Sequence, residues 1–324
     1  MKIESELPGV KKNVFLKKYT TFQIGGPAKY FYIAKSKAEL IKAAKQAKKI
    51  NLPFFVLGGG SNLLINDKGF SGLVIKNEAR SFKVKKEKII AESGAVLDKV
   101  IKAAVRAGLS GLEELSGIPG TLGGAVYGNA GWPRRERTIG NFVETAELLM
   151  PNGRIKKVKK NWLSFGYRNS RLKEIKNKNK KPVILEVVLK LKKDKKEDLK
   201  KRCQENFKVR SKKIPPGFSA GSIFKNFSPH PKKVFDAKPA LKAILENFKR
   251  KDLIPAAYLI QECELKGKKI GQAQISEKHA NFIVNLGKAK AKDVKKLIKL
   301  AKRKVKNKFG ILLEEEICYL GFKN

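Results

Sequence analysis

Apolar and polar positions recur along much of the chain with the periods of regular structure. Lys29-Tyr30-Phe31-Tyr32-Ile33 alternates as a strand does. From Lys37 to Lys49, the residues Leu40, Ile41, Ala44 and Ala47 fall on one helical face, and Ser36 is placed to cap the first turn. Asn51 ends that helix, and Leu52 to Leu57 and Phe70 to Ile75 read as strands. Ser81 to Val84 and Ile89 to Ser93 are expected to pair. Leu97 to Ala107 repeats Val100, Ile101, Ala104 and Val105 at helical spacing, and Gly108 stops it. Val143 to Met150 and Arg154 to Val158 read as a hairpin around Pro151-Asn152-Gly153. Ile184 to Leu191 is a strand, and the charged stretch from Lys192 to about Ser211 a helix. Pro215-Pro216-Gly217 marks a boundary. Beyond it, Ala291 to Val305 has helical periodicity, while His279 to Asn285 and Ile311 to Leu320 read as strands. The pattern predicts an α+β protein.

Two glycine clusters interrupt this periodicity. Leu57-Gly58-Gly59-Gly60-Ser61-Asn62 follows the apolar run Phe54-Phe55-Val56. A strand, then glycines, then a polar pair builds a backbone nest for phosphate. Neither a Walker A lysine nor GxGxxG spacing is present. The second cluster, Ser116 to Gly131, reads SGIPGTLGGAVYGNAG and carries six glycines without one charge. Each glycine costs a helix or strand roughly 0.5–1 kcal/mol against alanine. Such a stretch suits close approach to a flat, largely apolar ligand, and equally a tightly packed buried turn.

The 324 residues are sufficient for two or three domains with a substantial core. No apolar run is long enough to cross a bilayer, and the N-terminus lacks the apolar segment of a secretory signal, so a cytoplasmic protein is expected. Cys203, Cys263 and Cys318 lie far apart, and His230 and His279 are the two histidines, so neither a disulfide framework nor a metal site is expected. The net charge of +44 is unusual. It is carried mostly by dispersed lysines, whereas base reading and phosphate forks favour arginine. It reads as a solvated surface that draws in anionic substrates, with no specific nucleic-acid partner.

Taken together, GGGSNLLI and SGIPGTLGGAVYGNAG resemble the UDP-N-acetylenolpyruvoylglucosamine reductase family, whose flavin half belongs to the vanillyl-alcohol-oxidase-like group. Further blocks carry the likeness: Tyr19 to Gly26, Gly166-Tyr167-Arg168-Asn169-Ser170, Ser219 to Asn226, Gly271 to Phe282 and Leu313 to Ile317. They cover nearly the whole chain in family order. The resemblance implies a two-lobed PCMH-type FAD-binding domain (1–78 and 79–213) and a C-terminal α+β substrate-binding domain (214–324). It implies FAD as cofactor, NADPH as reductant, and reduction of UDP-N-acetylglucosamine enolpyruvate to UDP-N-acetylmuramate by a monomer.

By the same resemblance, FAD contacts fall on Gly58, Gly59, Gly60, Ser61 and Asn62, then Ser116, Gly117, Pro119, Gly120, Thr121, Gly123, Gly124, Gly128, Asn129 and Ala130. Arg168 matches the arginine that holds the substrate carboxylate, Ser222 the proton donor and Glu316 the catalytic glutamate. Lys225, Asn226, Lys266 and His279 match substrate-side positions. Glu314 and Glu315 are the rivals of Glu316, which only the family's Glu-Pro-Glu-Val pattern selects, and Glu315 replaces its proline. Trp132-Pro133-Arg134-Arg135-Glu136-Arg137 departs from the usual sequence after Asn129-Ala130-Gly131, and Cys318 stands where some relatives have arginine. The chain resembles the shorter form of the family. Two other readings are an FAD oxidase of the same superfamily and a basic nucleic-acid-binding protein on a flavin-type scaffold. A histidyl flavin tether before His230 is excluded, because no histidine occurs there.

Overall fold

The computed structural model describes residues 3–132, 137–175, 177, 181–228, 239–241 and 253–322. His230, residues 133–136 and most of the 228–253 stretch lie outside them. The fold is α+β, and its contacts divide the chain into two compact units. One comprises 1–14, 28–59 and 71–212; the other comprises 15–27, 60–70 and 213–324.

Among the described residues the first unit holds two larger sheets and two two-stranded ones. In the four-stranded sheet the order is Lys11–Phe15, Pro27–Ala34, Phe70–Asn77, Phe54–Leu57, with the last two parallel. The helix Lys37–Lys49 covers it. Ser36 Oγ accepts from Glu39 N at 3.2 Å, and Leu40, Ala43, Ala44 and Ala47 are buried. The five-stranded antiparallel sheet runs Ile155–Lys159, Val143–Leu149, Val183–Lys190, Lys88–Glu92, Phe82–Lys85. Val183, Leu185, Val187 and Leu189 alternate into the core. On the opposite face the register aligns Glu147, Glu186 and Glu92 across three strands. Lys37 answers them: its Nζ reaches Glu147 at 3.1 Å and Glu186 at 3.2 Å, and its backbone N–H donates to Glu92 at 3.1 Å. Burial alone would lower the Lys37 pKa, but these two carboxylates outweigh it and raise it.

In the first unit two segments change type from the sequence pattern. Lys192–Lys193 is a strand paired with Leu109–Ser110, and the helix begins only at Lys196. Leu122–Gly128, within the glycine-rich stretch, is a helix, capped by Thr121 Oγ1 on Gly124 N.

The second unit packs the helix Ala291–Phe309 against the sheet Lys269–Ile270, Ala273–Ile275, Ile283–Asn285. Val294, Leu297, Ile298, Ala301, Val305 and Phe309 form its buried stripe. Phe22, Ile24 and Leu64, far away in sequence, belong to the same core. Leu63–Ile65 pairs in parallel with Cys318–Leu320. This last strand is shorter than the Ile311 to Leu320 run expected, because 311–317 makes only isolated cross-bonds. No helix among the described residues is long and apolar enough to cross a membrane.

Candidate active site

In the first unit the strand Phe54–Leu57 delivers Gly58 and Gly59 against the second glycine cluster. A Cβ at Gly58 would stand 2.5 Å from Thr121 Oγ1, and one at Gly59 only 2.6 Å from Gly120 Cα. Side chains are therefore excluded and the two backbones meet directly. Lys76 Nζ donates to Gly58 O, and burial lowers the Lys76 pKa. Gly123 is equally constrained, its Cβ position lying 2.8 Å from Ser93 Cβ. Gly128, by contrast, faces open space.

The segment bearing Ser116 and Gly117 is braced from below. Glu113 and Glu114 are buried; Glu113 accepts from Gly111 N at 2.6 Å and Ser110 Oγ at 3.0 Å. Ser116 is buried, and its Oγ donates to Glu113 O at 2.7 Å. Arg210, from the helix Lys196–Ser211, donates through Nε to Ser116 O at 2.9 Å and through Nη2 to Glu114 O at 3.4 Å. Its guanidinium lies 4.9 Å from the centre of the Trp132 ring. Burial, and then the like charge of Arg168, push the Arg210 pKa down to about 10, so it stays cationic at neutral pH.

Arg168 is tied to the end of the same stretch. Asn129 ends the helix in the left-handed conformation, at φ 45°. Its side chain donates to Gly166 O at 2.8 Å and accepts from Gly140 N at 3.0 Å. Arg168 Nη1 donates to Gly131 O at 2.8 Å, and Ser170 Oγ to Tyr127 O at 2.7 Å. Three bonds thus fasten the Gly166–Ser170 block to residues 127–131. Arg168 itself has φ 53°, a conformation that costs a non-glycine residue free energy and is held here by its surroundings. Ser61 is half-buried, as are Gly117 and Ala130; Pro119 and Gly124 are exposed.

In the second unit, residues 222–225 run extended between two segments. Ser222 bridges to Phe282, and Ile223 N donates to Asn281 O at 2.8 Å. The buried Asn281 side chain both accepts from Phe224 N and donates to Phe224 O. On the other side Glu316 N donates to Ile223 O, and Lys225 N to Glu314 O, both at 2.8 Å. Ser222 and Glu316 therefore sit at neighbouring positions of one backbone network.

The three glutamates part company. Glu314 is exposed and pairs with Lys225 at 3.3 Å. Glu315 is held by Lys302 at 2.8 Å and by the Tyr319 hydroxyl. Glu316 is half-buried, and its carbonyl accepts from Asn62 Nδ2 at 3.2 Å. The Asn62 carbonyl accepts from Cys318 N at 2.9 Å, so Asn62 is joined twice to the Glu316 segment. Gly60, at φ 66°, packs so tightly that a Cβ would lie on Tyr19 O. Asn226 Oδ1 accepts from Ala256 N at 3.2 Å. His279 is packed edge-on to Phe282 and its Nδ1 accepts from Asn281 N at 3.3 Å. Burial, with the charges of Lys213 and Lys266, lowers the His279 pKa, so its imidazole is neutral at pH 7. Lys266 is itself exposed.

Comparison with known proteins accounts for this arrangement. Residues 28–159 match the family described as FAD binding domain, and 214–320 that described as UDP-N-acetylenolpyruvoylglucosamine reductase, C-terminal domain. The reductase of Caldicellulosiruptor bescii is 43% identical over 94% of this chain and 89% of its own length. The chain belongs to the UDP-N-acetylenolpyruvoylglucosamine reductase family. The reductase of Clostridium novyi is 36% identical over 96% of this chain and 92% of its own. The crystal structure of the Thermus caldophilus reductase has a TM-score of 0.74 and 34% identity, covering 96% of this chain and 98% of that one.

Members of this family bind FAD, and the residues here fit it. Among the described residues, the backbone N–H groups of Gly58, Gly59 and Gly60 donate to nothing, although Gly60 is buried. Unspent donors on a glycine backbone after a strand are what a diphosphate takes up.

Sequence reasoning missed Arg210, which lies in a helix read only as charged. A usable signal was present. Arg202 and Arg210 are the arginines of that lysine-rich helix; Arg202 reaches the buried Glu113 at 3.5 Å, and Arg210 donates to Ser116 O. Arginine is favoured where a planar fork must meet fixed acceptors.

Proposed function

We infer that this chain reduces the enolpyruvyl ether of UDP-N-acetylglucosamine enolpyruvate to UDP-N-acetylmuramate, with FAD as cofactor and NADPH as reductant, in peptidoglycan precursor synthesis. The observation that carries the reading is the near full-length identity to reductases of this name, joined to unspent backbone donors at Gly58 to Gly60. Bound FAD would supply the hydride chemistry between NADPH and the terminal carbon of the double bond.

The chain's own residues handle the charge and the proton. Negative charge grows on the neighbouring carbon and its carboxylate as hydride arrives. Arg168, always charged and already oriented by Gly131 O, takes the carboxylate. Glu316 makes a second contact to that end of the substrate. Ser222 gives its hydroxyl proton to the carbon, which completes the lactyl ether. Lys225, Asn226, Lys266 and His279 take the diphosphate and the sugar side, His279 as a neutral hydrogen-bonding ring. Gly58 to Asn62, with Ser116, Gly117, Pro119, Gly120, Thr121, Gly123, Gly124, Gly128, Asn129 and Ala130, would hold FAD. Residues 1–78 and 79–213 form the flavin lobes and 214–324 the substrate part. The enzyme acts as a cytoplasmic monomer, and its lysine-rich surface raises the encounter rate with anionic substrates in a salt-dependent way.

The test is optical. The purified protein should be yellow, NADPH should bleach it without oxygen, and the UDP-enolpyruvyl sugar should restore the colour. Reoxidation by oxygen alone would make the protein an oxidase. A colourless protein that takes up no FAD would end the flavoenzyme reading.

A further inference from the structure

Residues 311–317 connect the helix Ala291–Phe309 to the strand Cys318–Leu320 without regular structure of their own. Their course is set by cross-bonds. Backbone bonds reach Ile223 O from Glu316 N, and the Phe224–Glu315 bridge lies beside them. Asn62 Nδ2 holds the Glu316 carbonyl.

A further anchor runs through a side chain. Both carboxylate oxygens of Glu315 are engaged. Oε1 accepts from Lys302 Nζ at 2.8 Å, and Oε2 from the Tyr319 hydroxyl. Lys302 belongs to the long helix, whose buried stripe is fixed in the core. Tyr319 is fixed by pairing with Leu64, and Lys295 lies 5.1 Å from the centre of its ring. The Glu315 side chain is 24% exposed and that of Lys302 38%, so this is a partly shielded tie between two rigid elements and the residue before Glu316. Rotation about the backbone torsions on either side of the planar 315–316 peptide would swing the Glu316 carboxylate, and the tie restricts that freedom.

We propose that Glu315 is a positioning residue for the reduction, anchored by Lys302 and Tyr319 so that Glu316 projects in one direction. The inference rests on the assignment of Glu316 as a substrate contact. It predicts its effect in the reoxidation half of the cycle, where Glu316 would contact the substrate.

Anaerobic stopped-flow on the FAD-loaded enzyme reads the two halves separately. Glu315→Ala should slow flavin reoxidation by UDP-N-acetylglucosamine enolpyruvate about 10- to 100-fold, the scale of a misaligned catalytic group. Reduction by NADPH should be unchanged. Glu315→Gln, which keeps one of the two anchors, should recover much of the rate, and Tyr319→Phe should fall between wild type and Glu315→Ala. In a Glu316→Gln background the loss from Glu315→Ala should largely vanish, since the two act as one unit. The milder Tyr319→Phe keeps the question answerable should Glu315→Ala not fold. Wild-type reoxidation in Tyr319→Phe and Glu315→Ala, or an equal loss with and without Glu316, would overturn the positioning role. Unimpaired reoxidation by Glu316→Gln alone would instead remove Glu316 from the site, and the inference with it.

Discussion

Gly59→Ala probes the meeting of the two glycine clusters with a single methyl group. The φ of Gly59 lies outside the left-handed region, so alanine meets no backbone strain there. The whole cost is steric. The new Cβ would stand 2.6 Å from Gly120 Cα, 3.3 Å from Gly120 C and 3.5 Å from Gly120 N. These are main-chain atoms, so no rotamer change relieves the clash, and one loop must move. Overpacking of this kind costs about 1–3 kcal/mol. At about 2 °C per kcal/mol for a chain of this size, the FAD-free protein should melt roughly 4 °C lower. FAD affinity, read by quenching of flavin fluorescence, should fall as well, because Gly58 and Gly120 move with the displaced loops. Gly128→Ala is the control: a Cβ there meets nothing within 4 Å, and the position ends a helix. Its FAD-free form should melt at or slightly above wild type. A wild-type melting point for Gly59→Ala would refute the packing. A lower melting point with unchanged FAD affinity would refute the claim that this contact shapes the cofactor cradle.

Lys37→Met should cost about 2 kcal/mol in urea unfolding, between exposed and buried ion pairs, because it leaves Glu147 and Glu186 facing each other. Adding Glu186→Gln should restore part of it, and no restoration would argue against the carboxylate cluster. Two titrations separate the acid limbs of stability. His279 has a pKa below the ordinary 6.5, since burial disfavours its imidazolium; the unfolded chain protonates first, and stability falls as pH drops below 6.5. Burial would raise the Glu315 pKa, but Lys302 and Tyr319 hold it below 4.5, so its contribution is present above 4.5 and lost as pH falls through the folded value. His279→Gln should flatten the first limb only and Glu315→Gln the second only; the reverse pattern would sink both assignments. Arg168→Lys should slow flavin reoxidation by the UDP-enolpyruvyl sugar about 100-fold while leaving reduction by NADPH intact, since it keeps the charge and loses the fork. Equal loss in both half-reactions would mean a folding defect instead.

Local pattern carried much of the fold. Lys37 to Lys49 is a helix with the expected cap because Ser36, the apolar stripe and Asn51 agree with one another. The alternation of Val183 to Leu189 likewise survives as a half-buried strand. Where tertiary pairing decides, the pattern misleads. Lys192–Lys193 reads as the start of a charged helix but extends a strand, because Leu109–Ser110 offers a partner. Leu122–Gly128 is helical despite its glycines, held by Thr121 at one end and Asn129 at the other. Of the candidate site, the motif residues rest on the resemblance. The supports were not: Asn129 reaches Gly166, Arg210 reaches Ser116 O and Glu315 reaches Lys302, each across many residues of chain. No periodicity encodes a side chain that spans such a distance.

The composition of the second unit has a consequence for dissection. Its core includes Phe22, Ile24 and Leu64, supplied by 15–27 and 60–70. Asp67 accepts from Ala291 N at 2.8 Å and Lys292 N at 3.1 Å, satisfying the start of the long helix. Asn285 Nδ2 donates to Phe22 O at 3.0 Å. Removing everything before residue 214 therefore deletes three fully covered side chains worth roughly 1.5–3 kcal/mol each, a cap and a strand partner. That total is comparable with the roughly 5–15 kcal/mol that ordinarily holds a domain together. Residues 214–324 expressed alone should show no cooperative thermal transition by circular dichroism and should bind a dye specific for exposed apolar surface. A sharp, reversible melt of that fragment would mean that the two early segments decorate the second unit's core without completing it.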